Sequence, residues 1–301
     1  MGELLHDLLT DQGRVAVLYV LDPGPDGSLG DVTWLVEAKR NGTIAALIYQ
    51  GVLPTELSQS ADVVLPGAAW VDALVYAGLV GIDVVNMSFY IDPWLYNCLA
   101  NPADSPEDQA EQRTVIAATQ RALRYAWDRR VTLVAAAGNQ GIDYTKPSVD
   151  ETSPDFADVP GEAPYSRDID PADCISLPAQ GEHVIATSAT GISTRKAYYS
   201  SYGYGYVDVA APGGDVYDTP TNTRDVTKAV LAAAPEAVLR EAKLITPSGK
   251  PKSASVVRDC RDGTCGLYQW IQGTSMAAPH AVGVAAIIVA EKGKRDSANG
   301  G

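Results

Sequence analysis

Histidine, cysteine and long apolar runs are scarce in this sequence. Its 301 residues include 3 histidines and 4 cysteines, and the formal net charge is −14. Such an acidic chain is not expected to bind nucleic acid or an anionic membrane. The apolar stretches read as too short to span a bilayer, and no basic-apolar export signal follows Met1. With 46% hydrophobic residues and no internal repeats, the chain is typical of a globular enzyme of one or two domains.

The four cysteines allow three pairings. An even count is typical of disulfides, which form in an oxidising compartment such as the extracellular space. The missing export signal indicates the opposite, so the localisation stays open. An Asp-Gly turn separates Cys260 from Cys265, which favours their pairing and leaves Cys98 with Cys174. No histidine lies at ligand spacing from Cys260 or Cys265, so we expect no metal and no cofactor, with calcium left open.

Apolar runs alternate with helical patterns, which predicts an α/β fold with a parallel sheet flanked by helices. Ser105, Pro106 and Asp108 are typical of a helix start, and this helix is predicted to reach Arg130. Residues 141–181 are rich in Pro, Asp, Ser and Gly, which indicates an elaborated surface loop. Further predictions are strands at 14–20, 43–49 and 62–65, helices at 32–40 and 231–244, and a disordered tail after Lys292.

The segment that begins Gly273-Thr274-Ser275-Met276 opens an apolar run over 277–290, long enough for a buried helix. A serine in the first turn of such a helix lies beside free backbone N–H groups at the positive end of the helix dipole. Those groups stabilise an oxyanion that forms next to the hydroxyl. Ser275 is therefore a candidate nucleophile, and GTSMAAPHAVG resembles the nucleophile motif of the subtilisin-like serine proteases.

Three more segments resemble that family in the same order. Residues 131–141 are similar to the strand that delivers the oxyanion-hole asparagine, here Asn139, and residues 82–90 to the edge strand that pairs with substrate. Residues 199–213 are similar to the strand and turn before the nucleophile. The resemblance implies a monomer that acts on a polypeptide substrate or binds a peptide ligand. It implies catalytic roles for Ser275 and Asn139, and substrate contacts from Ser88, Phe89, Tyr90, Ala136 and Gly138.

Asn139 and Tyr90 each have a second interpretation. The carboxamide of Asn139 is a neutral donor suited to an oxyanion, but Gly-Asn-Gln-Gly alone also suits a plain turn. Tyr90 stands where the family usually has glycine, and it would narrow the groove that an extended substrate occupies. Its alternative role is that of a strand aromatic packed against a neighbour.

The family's catalytic histidine and aspartate motifs are not found. His280 lies in the nucleophile helix, where packing is expected, His183 reads as a boundary residue, and His6 has no predicted placement. Asp22-Pro-Gly and Asn41-Gly-Thr offer a degenerate alternative, but an amide at Asn41 cannot accept the serine proton.

The first 72 residues have a different resemblance. Residues 14–72, including ADVVLPGAA, are similar to part of the molybdopterin oxidoreductases, such as the large iron-sulfur subunit of NADH dehydrogenase. This segment contains no cysteine, so it holds no iron-sulfur cluster. We therefore expect a composite chain: a β-α-β segment over 1–72, an N-terminally truncated subtilisin-like domain over 73–292, and a tail over 293–301.

Three functions follow from these observations. The first is a serine endopeptidase by lineage with weak or no proteolysis, because the base is missing. The second is a non-catalytic module that binds peptides along residues 88–90. The third is a redox protein fragment, which the absence of ligands disfavours.

Overall fold

The structure, a computed structural model, describes residues 17–21, 46–50, 69–155 and 163–293. The strands are β1 (Val17–Leu21), β2 (Ala46–Gln50), β3 (Val84–Met87), β4 (Asn97–Cys98), β5 (Thr132–Ala136), β6 (Ser148–Asp150), β7 (Arg167–Ile169), β8 (Cys174–Ile175), β9 (Val184–Thr190), β10 (Val209–Pro212), β11 (Val230–Ala233), β12 (Val256–Arg261) and β13 (Thr264–Ile271). The α-helices are α1 (Ala69–Val80), α2 (Pro106–Asp128), α3 (Glu236–Glu241) and α4 (Thr274–Lys292).

Six strands form one parallel sheet in the order β10-β9-β5-β3-β1-β2. Neighbouring residues of a strand point to opposite faces of the sheet. The central strands consist mostly of consecutive apolar residues, so both faces of the sheet are apolar and both can pack against helices. Val85 and Leu133 pack with α1 and α2 on one face. Val84 and Val134 pack with α4 on the other. The predicted three-layer α/β architecture is therefore present.

The long helix α2 begins where the sequence predicts it. The hydroxyl of Ser105 accepts a hydrogen bond from the backbone N–H of Asp108, and the Asp108 carboxylate accepts one from the N–H of Ser105. Pro106 occupies the first helical position, where its missing N–H costs nothing. The helix ends at Asp128, two residues before the predicted end.

The predicted helix over 231–244 is wrong in its first half. Residues 230–233 form β11, which pairs antiparallel with β13, and only residues 236–241 are helical. Pro235 caps α3 with an extended backbone, and a proline disfavours the helical conformation of the residue before it. The alanine-rich stretch before Pro235 is therefore free to join the three-stranded sheet β11-β13-β12.

The strands predicted at 14–20 and 43–49 are found at 17–21 and 46–50, where the described residues begin. Both extend the central sheet beyond β3. The predicted helix at 32–40 and strand at 62–65 lie outside the described residues. Helix α1 begins at Ala69 and runs across the expected boundary between residues 72 and 73.

Both expected disulfides are present, Cys98–Cys174 and Cys260–Cys265. The first joins β4 to β8, which pair antiparallel. Strand β8 and the antiparallel pair β6 and β7 lie within residues 141–181, which were expected to form a surface loop. The second closes the β12–β13 hairpin, in which the two cysteines face each other.

Helix α4 corrects the expectation about apolar length. With 19 residues and a mean hydropathy of 1.3, it is long and apolar enough to cross a bilayer by those criteria alone. In this fold it packs against the central sheet, with Ala278, Val282 and Ala286 fully buried. That contact explains the apolar residues on one face of α4, whereas Val284, Ile287 and Ile288 are exposed.

Candidate active site

Ser275 is the second residue of α4, whose helix cap is Gly273. Its hydroxyl donates to the backbone oxygen of Ser88 at 3.3 Å, and the Ser88 hydroxyl donates to the backbone oxygen of Ser275 at 3.0 Å. These reciprocal bonds link the start of α4 to the residue after β3. The expectation of an edge strand over 82–90 is wrong, because β3 lies between β5 and β1 in the sheet. The N–H of Ser275 has no acceptor within the helix, as is usual in a first turn.

The side chain of Asn139 reaches the same helix start from the end of β5. Its Oδ1 accepts hydrogen bonds from the backbone N–H of Thr274 at 2.8 Å and from the Thr274 hydroxyl at 3.0 Å. The carboxamide NH₂ is left to donate. Gly138 has a φ of +100°, and its N–H donates to the Thr274 hydroxyl at 3.0 Å. The glycine before Asn139 thus permits a left-handed backbone that L side chains rarely adopt.

A cleft of about 200 Å³ brings the expected site residues together. The two residues with expected catalytic roles and the five with expected substrate contacts all line it: Ser275, Asn139, Ser88, Phe89, Tyr90, Ala136 and Gly138. Five further lining residues were not anticipated: Leu95, Gln140, Ser176, Ala179 and Thr274. Ser176 and Ala179 flank a cis bond before Pro178, in a segment whose composition indicated only a loop.

Tyr90 lies three residues after the end of β3. Its ring packs against a buried cluster that includes Leu95 and Tyr144, and it also lines the cleft. Its hydroxyl donates to the carboxylate of Asp155 at 3.0 Å. Burial, with the nearby carboxylates of Asp92 and Asp155, raises the pKa of Tyr90, so this hydroxyl stays a donor at neutral pH.

Asn86 is a buried site residue that the sequence did not reveal. Its Nδ2 donates to the Ser88 hydroxyl at 2.8 Å, which orients the serine that contacts Ser275. Among the described residues its buried Oδ1 has no hydrogen-bond partner, and an unsatisfied buried group of this kind costs free energy. Its position inside a strand resembles that of an ordinary core residue, so no sequence signal marks it.

In the part of the chain that the structure describes, neither histidine reaches the Ser275 hydroxyl. His280 Nδ1 lies 2.8 Å from the backbone oxygen of Met276 within α4. The His183 ring stacks on Trp127 at 4.6 Å between centroids. His6, Asp22 and Asn41 lie outside the described residues. The same described part holds no group of acidic, cysteine and histidine side chains suited to a metal ion.

The Subtilase family (Peptidase S8) matches residues 65–299, and the chain therefore belongs to the subtilase family. A thermophilic serine proteinase from Bacillus sp. (strain AK1) is 26% identical over 220 residues, which cover 73% of this chain and 31% of that protein. Thermitase from Thermoactinomyces vulgaris is 31% identical over 161 residues, 51% of this chain and 45% of that protein. The chain thus spans less than half the length of both relatives.

Solved structures show the same fold. A lanthipeptide protease has a TM-score of 0.56 and 20% identity, with 96% of this chain and 80% of that chain covered. The nisin leader peptidase from Lactococcus lactis has a TM-score of 0.51 and 15% identity, with coverages of 94% and 79%. The resemblance of residues 14–72 to an oxidoreductase stays a prediction.

Proposed function

We propose that this chain binds an extended polypeptide segment in the cleft at Ser275 and that it hydrolyses peptide bonds slowly or not at all. One observation carries the proposal. Ser275, Asn139 and residues 88–90 line one cleft, whereas the Ser275 hydroxyl hydrogen-bonds a backbone carbonyl of Ser88. A carbonyl oxygen accepts a hydrogen bond but does not take up the proton that a serine must lose on attack.

The rest of the site suits acyl chemistry. An extended peptide that pairs with residues 88–90 by β-augmentation would place a carbonyl group over Ser275. The carboxamide NH₂ of Asn139 and the free N–H of Ser275 would then stabilise the developing oxyanion. In subtilisin, a member of the same family, oxyanion stabilisation and binding alone leave about 10³–10⁴-fold acceleration over water when triad residues are removed. We expect turnover near that level.

A non-catalytic peptide-binding role is the second candidate. The hydrogen bond from the Ser275 hydroxyl to the backbone oxygen of Ser88 favours it, because it directs this hydroxyl toward a group that cannot act as a base. In this case peptides bind along residues 88–90 with no turnover at all. The third function considered, that of a redox protein fragment, has no support in the described residues.

Labelling with a fluorophosphonate probe tests the proposal. We expect negligible labelling of the wild-type chain, equal to that of Ser275→Ala, because the serine is not activated. Turnover of a peptide amide above that of Ser275→Ala would show the slow peptidase, and peptide binding without turnover would show the binding module. Strong labelling that disappears in Ser275→Ala would contradict the proposal and reveal a base outside the described residues.

A further inference from the structure

A second cleft, of about 190 Å³, lies between β13 and the segment 216–229, outside the Ser275 cleft. Its walls include the side chains of Tyr198, Tyr217, Arg224 and Trp270. No described residue that lines the first cleft also lines this one. The inserted three-stranded sheet supplies Trp270, so the cleft depends on the part of the chain that runs from β11 to β13.

Arg224 is the charged residue that lines this cleft, and it is exposed to solvent. No residue in the described part of the chain hydrogen-bonds or ion-pairs with its guanidinium. The adjacent carboxylate of Asp225 is engaged elsewhere, since its Oδ1 accepts from the N–H and the hydroxyl of Thr227. Asp215 and Asp218 lie nearest to Arg195 instead, at 3.9 and 3.5 Å.

The cleft also offers donors without acceptors. Neither the indole N–H of Trp270 nor the hydroxyl of Tyr217 has a hydrogen-bond partner among the described residues. A guanidinium, an indole N–H and a phenol together match a carboxylate, because a guanidinium forms paired, charge-assisted bonds to carboxylate oxygens. The aromatic rings of the cleft and the side chains of Val216 and Val226 form an apolar surface. Such a surface can pack against an apolar or aromatic group of the ligand.

The aromatic wall is held in place before any ligand arrives. The Gln272 side chain accepts from the N–H of Val216 at 2.9 Å and donates to the hydroxyl of Tyr198 at 3.0 Å. The Tyr198 ring meets the Tyr217 ring edge-on at 5.2 Å. A wall fixed in this way loses little conformational entropy on binding.

We propose that this cleft binds a carboxylate attached to an apolar or aromatic group, with Arg224 as the anion partner and Trp270 and Tyr217 as the wall. Gln272 lies three residues before Ser275, so the cleft adjoins the active-site cleft along the chain. We assign the carboxylate to the C-terminus of a polypeptide that also occupies the Ser275 cleft, where the terminal residue supplies the apolar or aromatic group. This assignment of the carboxylate to a polypeptide rests on the proposed function, whereas the carboxylate site itself does not.

Ligand-observed NMR titration of the full chain tests the site with three probes: N-acetylphenylalanine, its amide, and N-acetylglutamic acid α-amide. We expect N-acetylphenylalanine to bind at least about tenfold more tightly than its amide, since one charge-assisted pair is lost. Arg224→Gln is expected to reduce binding of the acid to the level of the amide. Arg261→Gln is the matched control, because Arg261 is exposed and pairs with Asp259 on the same inserted sheet.

Equal binding of the acid and its amide, unchanged binding by Arg224→Gln, or no binding of the acid at millimolar concentration would overturn the proposal. Binding of the glutamyl probe as tight as that of N-acetylphenylalanine would overturn the role proposed for the aromatic wall, because the glutamyl probe carries no aromatic group. Binding of N-acetylphenylalanine alone supports a chain terminus. Repeating the titration with Ser275→Ala separates this site from the proposed function, because carboxylate binding persists there whether or not Ser275 is active.

Discussion

The side chain of Asn139 has two roles, as an acceptor and as a donor, and one substitution can distinguish them. Its Oδ1 accepts both hydrogen bonds from Thr274, and its NH₂ is the donor for an oxyanion. Asn139→Asp keeps the two acceptor contacts but replaces the donor with a negative charge. We expect the urea midpoint to change little, while any residual peptide turnover falls by about 10²–10³, the loss known for this donor in subtilisin. Equal peptide turnover by the wild-type chain and Asn139→Asp would show that Asn139 has only a structural role in a turn.

The sequence predicts Ser275 and Asn139 because glycines and an apolar run mark their surroundings. It does not predict Asn86, because a residue inside a buried strand is typical of the core, although it donates to Ser88 only two positions away. It does not predict Ser176, because this residue lies inside the predicted loop over 141–181 and reaches the cleft only through packing. Local sequence patterns therefore predict the motif residues of a site better than the residues that orient them.

Arg167 is a fully buried cation that holds two carboxylates. It bonds to both oxygens of Asp104 at 2.8 Å, to Asp150 at 3.3 Å and to the Oε1 of Gln112 at 2.8 Å. Arg167→Met leaves the buried carboxylates unpaired, and a loss of about 3–5 kcal/mol in the free energy of unfolding is expected. Arg124→Met is the control, because Arg124 pairs with Glu182 at the surface, where removal changes stability little.

The same cluster gives a pH dependence with a definite sign. Burial alone would raise the pKa of Asp104, but hydrogen bonds from Arg167 and Gln112 hold this pKa below its usual range. A carboxyl group of this kind stabilises the fold above its unfolded pKa of about 4, and the contribution is lost as the pH falls through the folded pKa. Urea midpoints should therefore fall below about pH 4. A midpoint that rises in acid would contradict this account.

At the scale of single elements, local sequence signals predict a helix or strand when no other segment of the chain offers it a different pairing partner. The capping residues Ser105 and Asp108 predict α2 to within two residues. The alanine-rich run before Pro235 was predicted as helix, but β13 offers it a pairing partner that no local pattern reveals. Strand formation at 230–233 depends on residues more than thirty positions away, so sequence periodicity could not predict it.

The two disulfides are expected to differ in their effect on stability. Cys98–Cys174 spans 76 residues and Cys260–Cys265 spans 5. Loop-closure entropy gives about 4.5 kcal/mol for the first bond and about 2 kcal/mol for the second. Cys98→Ser with Cys174→Ser should therefore lower the urea midpoint more than Cys260→Ser with Cys265→Ser. The reverse order would show that native packing, rather than the unfolded chain, determines the difference.

At the scale of the whole molecule, the central sheet depends on strands from the N-terminal segment. β1 pairs with β3 over residues 17–20 and 84–87, and β2 pairs with the outer edge of β1. The sequence predicts both strands of this segment, at 14–20 and 43–49, but not their partner in the sheet. Whether it shares an origin with the oxidoreductases stays a prediction, because strand pairing depends on pattern and not on ancestry.

Removing residues 1–68 tests how much the fold depends on those strands. The shortened chain keeps α1, which begins at Ala69, but it loses β1 and β2. Strand β3 then becomes an edge strand with unpaired N–H and C=O groups, and such edges promote aggregation. We expect lower solubility than the full chain, together with a broad melting transition at low temperature. Removal of residues 294–301 is the control, because it leaves every strand of the sheet in place. A shortened chain that is equally soluble and melts sharply would show that the N-terminal strands contribute nothing to the sheet.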